Sequence, residues 1–163
     1  MSTEDPTDGF TVPVGDRYFE DYTADTTHAC GSLTVTERDI IDFASRFDPQ
    51  AFHIDPVAAE DGPFGGLVAS GWHTAALMMK LFAAHYLSTV ASLGSPGVDE
   101  LRWLKPVRPG DRLHLRVHIL ETRPSRSDPG RGIVRSLAEL LDDDGAAVLR
   151  VTVVNLLRTR TTP

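Results

Sequence analysis

Asp48 and His53 lie five positions apart in the run Asp48-Pro49-Gln50-Ala51-Phe52-His53-Ile54-Asp55. A carboxylate and an imidazole that share one water can take a proton from it and return a proton to a neighbouring atom. On a continuous helix, residues five apart diverge by more than a quarter turn. Pro49 disfavours helical backbone at Asp48, so a helix arriving from the N-terminal side stops there. The resulting turn lets the two side chains converge. A nearby carboxylate favours the imidazolium, and burial opposes it. The same residues also fit a structural reading, with Asp48 ending a helix and His53 bonding within a turn. Spacing alone leaves both open.

Gly62-Pro63-Phe64-Gly65-Gly66 and Gly71-Trp72-His73 follow closely. Glycine admits a ligand close to the backbone, and free N–H groups at a helix start stabilise negative charge developing on oxygen. Plain turn chemistry is the alternative. The stretch matches neither GxGxxG nor the Walker pattern, so a nucleotide-phosphate loop is not expected. Ser70 is placed as an N-cap for the following helix, and no GxSxG nucleophile elbow occurs.

His53 and Asp55 are the only close pair of metal-ligand type in a loop, and no third ligand accompanies them, so no metal site is expected. His114 and His118 fall four apart on a strand, roughly 13 Å at about 3.3 Å per residue, too far to share an ion. They are read as solvated positions, and His73 and His85 as satisfied core histidines. Arg102, Lys105 and Arg108 flank one turn, and Arg123, Arg126 and Arg131 surround another loop. Either cluster suits ligand phosphates or simple solvation.

These residues need a frame, and 163 residues suffice for one domain with a real core. The formal net charge of −7 argues against a nucleic-acid partner held by general electrostatics. One cysteine, Cys30, rules out an internal disulfide and fits a reducing compartment. Residues 1–15 are read as a flexible acidic arm without signal-peptide character, and 16–160 as the domain. The most apolar segment, Trp72 to Leu87, is interrupted by Lys80 and is too short to span a bilayer, so a cytoplasmic protein is expected.

Arg17 to Tyr22 reads as a short edge element. Ala29 to Val35 reads as a strand with a bulge at Gly31. Thr36 then caps a helix whose Ile40, Phe43, Ala44 and Phe47 share one face. Asp55-Pro56 opens a short helix to about Glu60. Gly71 to about Leu87 is a helix apolar on nearly every side, which requires cover all round. Strands follow at Val98–Leu104, around Leu113–Ile119, at Gly132–Leu141 and around Leu149–Leu157, with a loop at Arg123–Arg131 and a hairpin at Asp143-Asp144-Gly145. Helices followed by antiparallel strands make an α+β layer architecture. The sheet covers part of the long helix, and the remaining apolar surface points to a homodimer.

The run from Phe43 to Asp55 resembles the active-site segment of the MaoC-like dehydratases, which include the (R)-specific enoyl-CoA hydratases. Phe64 to Trp72 is similar to the family's lead into its central helix, and Leu104 to Asp111 to its strand–turn signature. The resemblance covers about residues 17–158. It implies a hotdog fold, an antiparallel sheet wrapped around a long central helix. It also implies reversible hydration of trans-2-enoyl thioesters to (R)-3-hydroxyacyl thioesters. Asp48 and His53 become the acid–base dyad, and the Gly71 N–H the thioester-oxygen donor. Gln50, Phe64, Gly65, Gly66, Ser70 and Trp72 become substrate-binding. Coenzyme A or a phosphopantetheine carrier is the substrate's handle, with no metal or redox cofactor. Gln50 and Ala51 depart from the asparagine and proline frequent in the family, and Ser70 from its histidine. A hotdog thioesterase and a non-catalytic acyl-binding subunit are the competing readings.

Overall fold

Apolar residues alternate with polar ones through the second half of the chain, and this alternation builds one antiparallel sheet. Leu113, Leu115, Val117 and Ile119 are fully buried on its inner face, beside Val134, Ala138 and Leu140 of the next strand. The computed structural model describes residues 9–161. In chain order they form β1 (Thr27–Thr34), α1 (Glu37–Phe47), α2 (Ala51–Ile54), α3 (Pro56–Glu60) and α4 (Gly71–Leu81). A π-helical turn over Phe82–Tyr86 comes next, then β2 (Gly97–Trp103), β3 (Arg112–Pro124), β4 (Arg131–Leu141) and β5 (Ala147–Arg158). The spatial order is β1-β3-β4-β5-β2, with every neighbouring pair antiparallel. The sheet packs its apolar face on α4, the hotdog arrangement.

Gly31 sits at the expected bulge: the β1–β3 register shifts between Ala29 and Ser32, and Gly31 takes φ +80°. Several expectations need correction. Arg17 to Tyr22 contains a 3-10 turn at Phe19–Asp21 and no strand. The central helix is regular only to Leu81. Beyond it the Leu87 N–H reaches back to the Phe82 carbonyl, a wider turn than an α-helix allows. The proposed arm falls partly outside the described residues. From Phe10 onward, however, the chain is docked: Phe10 stacks on His28 at 3.9 Å, with the Arg17 guanidinium 3.7 Å from its ring centroid.

Within one chain α4 is only half covered. His73, Thr74, Met78 and Leu81 are buried against the sheet and α1, while Trp72 is 60% exposed and Met79 42%. His73 stacks on Phe43, and its Nδ1 has no hydrogen-bond partner among the described residues. His85 is exposed on the π-helical turn, so neither is a hydrogen-bonded core histidine. His114 and His118 lie apart on the outer face, bonded to Asp143 and Thr27 respectively.

Candidate active site

The dyad is placed by how α1 ends. Ile40 and Ala44 bury the helix face, and the Thr36 hydroxyl accepts from the Asp39 N–H at its start. At the other end the Asp48 N–H still donates to Ala44, but Asp48 leaves helical geometry with φ −154° and ψ 69°, as a residue before proline should. The chain then recoils into α2. Gln50 N–H donates to the Asp48 carbonyl, His53 N–H to Gln50, and Asp55 N–H to Ala51, at 2.8, 2.9 and 2.9 Å. Ala51 is thereby held inside a helical turn without the help of a proline ring. Asp55 accepts from the Val57 and Ala58 N–H groups as the cap of α3, so its carboxylate already serves the backbone.

His53 is buried and tied to the segment before α4. Its Nδ1 lies 2.7 Å from the Val68 carbonyl, and the Val68 N–H donates to the Phe52 carbonyl at 3.1 Å. A carbonyl can only accept, so Nδ1 carries the proton and a neutral ring presents a lone pair at Nε2. That Nε2 faces Asp48 Oδ2 at 3.4 Å. Two acceptors this close leave no room between them, and a donor such as water seated beside the pair can reach both.

Asp48 is braced by two further side chains. Ser70 Oγ donates to Oδ2 at 2.7 Å, and Gln50 Nε2 donates to Oδ1 at 2.7 Å. The Ser70 hydrogen bond, ahead of the one from Gln50 and the electrostatic effect of nearby His53, holds the Asp48 carboxyl below the usual aspartate range against the opposing effect of burial. Ser70 also accepts from the Trp72 N–H as the N-cap of α4. Ser70→Ala should therefore do two things. Loss of the cap costs about 1 kcal/mol of stability. Loss of the hydrogen bond lets the Asp48 pKa rise, so an acid limb set by this carboxylate moves to higher pH in the kcat/KM profile. An unmoved acid limb would separate Ser70 from the acidity of Asp48.

Beside the dyad opens a cleft of about 430 Å³. Asp48, Gln50 and His53 line one part. Phe52, Phe64, Trp72 and Trp103 supply aromatic walls, and Gly71 contributes the first residue of α4. At that position a helical N–H has no intrahelical acceptor.

A family model for the MaoC-like domain matches residues 21–138. The chain belongs to the MaoC-like family. A MaoC-like dehydratase from Rhodospirillum rubrum is 37% identical, with TM-score 0.82 over 90% of this chain and 99% of that one. The uncharacterized protein YdeM of Bacillus subtilis is 35% identical over 99 residues, 61% of this chain and 70% of that protein. The 3-hydroxyacyl-thioester dehydratase Z of Mycobacterium tuberculosis is 29% identical over 120 residues, covering 71% of this chain and 76% of that protein.

This MaoC-like chain gathers Asp48, His53, Gln50, Phe64, Gly71 and Trp72 at one cleft. Three other expected binding residues sit differently. Ser70 is fully buried and braces Asp48 from behind. Gly65 and Gly66 do not line the cleft. The Gly65 N–H is used within the turn by the Gly62 carbonyl, and Arg108 ties the turn down through the Phe64 carbonyl at 2.6 Å. The glycine turn aims Phe64 and offers the cleft no N–H from Gly65. Sequence reasoning missed Trp103, Leu104 and Val107 as cleft lining. They arrive through the β2 edge and the turn after it, where no short-range pattern marks them.

Proposed function

We propose that the chain is an acyl-thioester hydratase/dehydratase, interconverting trans-2-enoyl and (R)-3-hydroxyacyl thioesters. The observation that carries this reading is the facing pair of acceptors, His53 Nε2 and Asp48 Oδ2, 3.4 Å apart beside the open end of α4. A water donating to both has its oxygen free to attack C3. As the C3–O bond forms, the water proton passes to His53 Nε2. Asp48, held below its ordinary pKa, is a poor proton acceptor, so it remains anionic and steadies the imidazolium. The electron pair of the double bond moves toward the thioester oxygen, where the Gly71 N–H binds the developing charge. The imidazolium then returns its proton to C2 on the same face. One water is added, and the dyad ends as it began. No electron is gained or lost, so the reaction needs no redox cofactor. Coenzyme A or a carrier phosphopantetheine enters as part of the substrate.

The exposed apolar surface of α4 and the cleft favours a homodimer as the working form. Size-exclusion chromatography with light scattering at micromolar concentration should give twice the chain mass, and a monomer would overturn that assembly.

The activity test follows the enoyl-thioester absorbance with crotonyl-CoA and longer analogues. Its loss without thiol release is the expected result. Release of free thiol would identify a thioesterase instead. Tight acyl-CoA binding without turnover across the panel would identify a non-catalytic subunit.

A further inference from the structure

Trp103 closes β2 and stands outside the acid–base pair, yet it grips the first residue of α4. Its indole N–H donates to the Gly71 carbonyl at 2.6 Å. Its ring lies so close that a methyl group on the Gly71 α-carbon would fall 2.6 Å from Cε2. Gly71 is not among the residues with positive φ, so this close approach, rather than backbone conformation, is what demands a glycine here. On the other side the Ser70 hydroxyl accepts from the Trp72 N–H and donates to Asp48. The start of α4 is therefore clamped between the dyad and the sheet edge.

The edge strand is shaped to deliver that indole. Val98 pairs with Val153 and Trp103 with Leu149, partners four apart on β5 and hence on one face. Val98 and Trp103 themselves are five apart, so in a regular strand they would face opposite ways. The register shift between Asp99 and Arg102 absorbs the extra residue, with Glu100 at φ +53°. Left-handed backbone at a non-glycine residue is uncommon and carries strain. The bulge turns Trp103 inward to α4.

We infer that Trp103 is a positioning residue for the oxyanion donor: by holding the carbonyl of the Gly71–Trp72 peptide and packing its ring on the Gly71 α-carbon, it fixes that residue so that the N–H of the adjoining Ser70–Gly71 peptide meets the thioester oxygen. This rests on the hydratase reading above. A well-aimed donor contributes roughly 10²–10³ in rate, and that contribution falls when the donor shifts.

Trp103→Phe keeps a ring on Gly71 and removes the N–H. Trp103 is 45% exposed on an edge strand, and far-UV circular dichroism checks that the variant is folded. Two readouts apply, turnover of an enoyl-CoA and the absorbance of a bound donor-substituted cinnamoyl-CoA, which shifts to the red when its carbonyl is polarised. The expected result is a kcat about tenfold lower, KM within about twofold, and a smaller red shift than the wild type gives. Unchanged kcat and red shift overturn the inference. So does a change confined to KM, which would make Trp103 a substrate wall only. A wild-type protein that shows neither turnover nor red shift overturns the hydratase reading itself, and the inference with it.

Discussion

His53→Ala should lower kcat/KM for an enoyl thioester by about 10²–10⁴-fold, and Asp48→Asn by a similar factor. The two losses have different origins. Alanine at 53 removes the atom that stores the water proton between C–O and C–H bond formation. Asparagine at 48 keeps the shape of the carboxyl and an acceptor for the Ser70 hydroxyl, but it removes the negative charge that steadies the imidazolium. Because Asp48 acts through the imidazolium that His53 forms, the double variant should be little worse than the poorer single one. The measurement is the initial rate of enoyl absorbance loss, with chromatographic assay of the 3-hydroxyacyl product. Single variants within a few-fold of wild type would remove the dyad from the mechanism. His53→Ala also breaks the bond to the Val68 carbonyl, so its thermal melt must accompany the rate.

Arg17→Ala should destabilise the protein by about 3 kcal/mol, lowering Tm by roughly 10 °C for a domain of this size. Arg17 is 2% exposed. Its Nε donates to the Val12 carbonyl at 2.8 Å, and one terminal nitrogen donates to the His85 and Tyr86 carbonyls at 2.7 and 3.2 Å. The last two close the π-helical turn, where carbonyls outnumber backbone donors and the helix end is electronegative. Hydrogen bonds from a charged donor contribute about 1.5–3 kcal/mol each, offset by the desolvation of the guanidinium. Tyr22 shares the duty: its hydroxyl donates to Tyr86 and accepts from the Ser88 N–H, and burial pushes its pKa up to about 12. Since Arg17 serves the end of α4 away from the dyad, kcat at low temperature should survive its loss. Urea unfolding that shows a change under about 1 kcal/mol would contradict this account.

The readable parts of the chain are those set by near neighbours. Alternation placed the inner faces of β3, β4 and β5, and Pro49 stopped α1 where the dyad needed it. Gly31 marked its bulge. Three features escaped because distant residues set them. The π-helical turn depends on Arg17 and Tyr22, which approach from the N-terminal segment. Docking of Phe10 depends on His28, Tyr22 and Tyr86 across the fold. Trp103 reaches the cleft only through an added residue in β2, and parity along a strand cannot reveal a bulge that no glycine announces. At the site, the proline turn marked Asp48 and His53 as able to converge and left their role open, but the Val68 carbonyl that fixes the imidazole tautomer had no signal at all. A main-chain acceptor leaves no trace in side-chain identity.

Asp48 ends α1, and Gly71 begins α4. Two helices thus present opposite poles to one small space, the electronegative end of α1 at the carboxylate and the electropositive end of α4 at the glycine. Together with the Asp48 charge they set up a standing electric field across the cleft. A thioester lying with its oxygen at Gly71 and its C3 toward the dyad has its conjugated system along that field. In the proposed reaction the field would draw electron density toward oxygen before any bond changes, so that a bound enoyl group would already be polarised in the direction of reaction. The backbone, through the order of its helices, would contribute this polarisation whichever acyl chain filled the rest of the cleft.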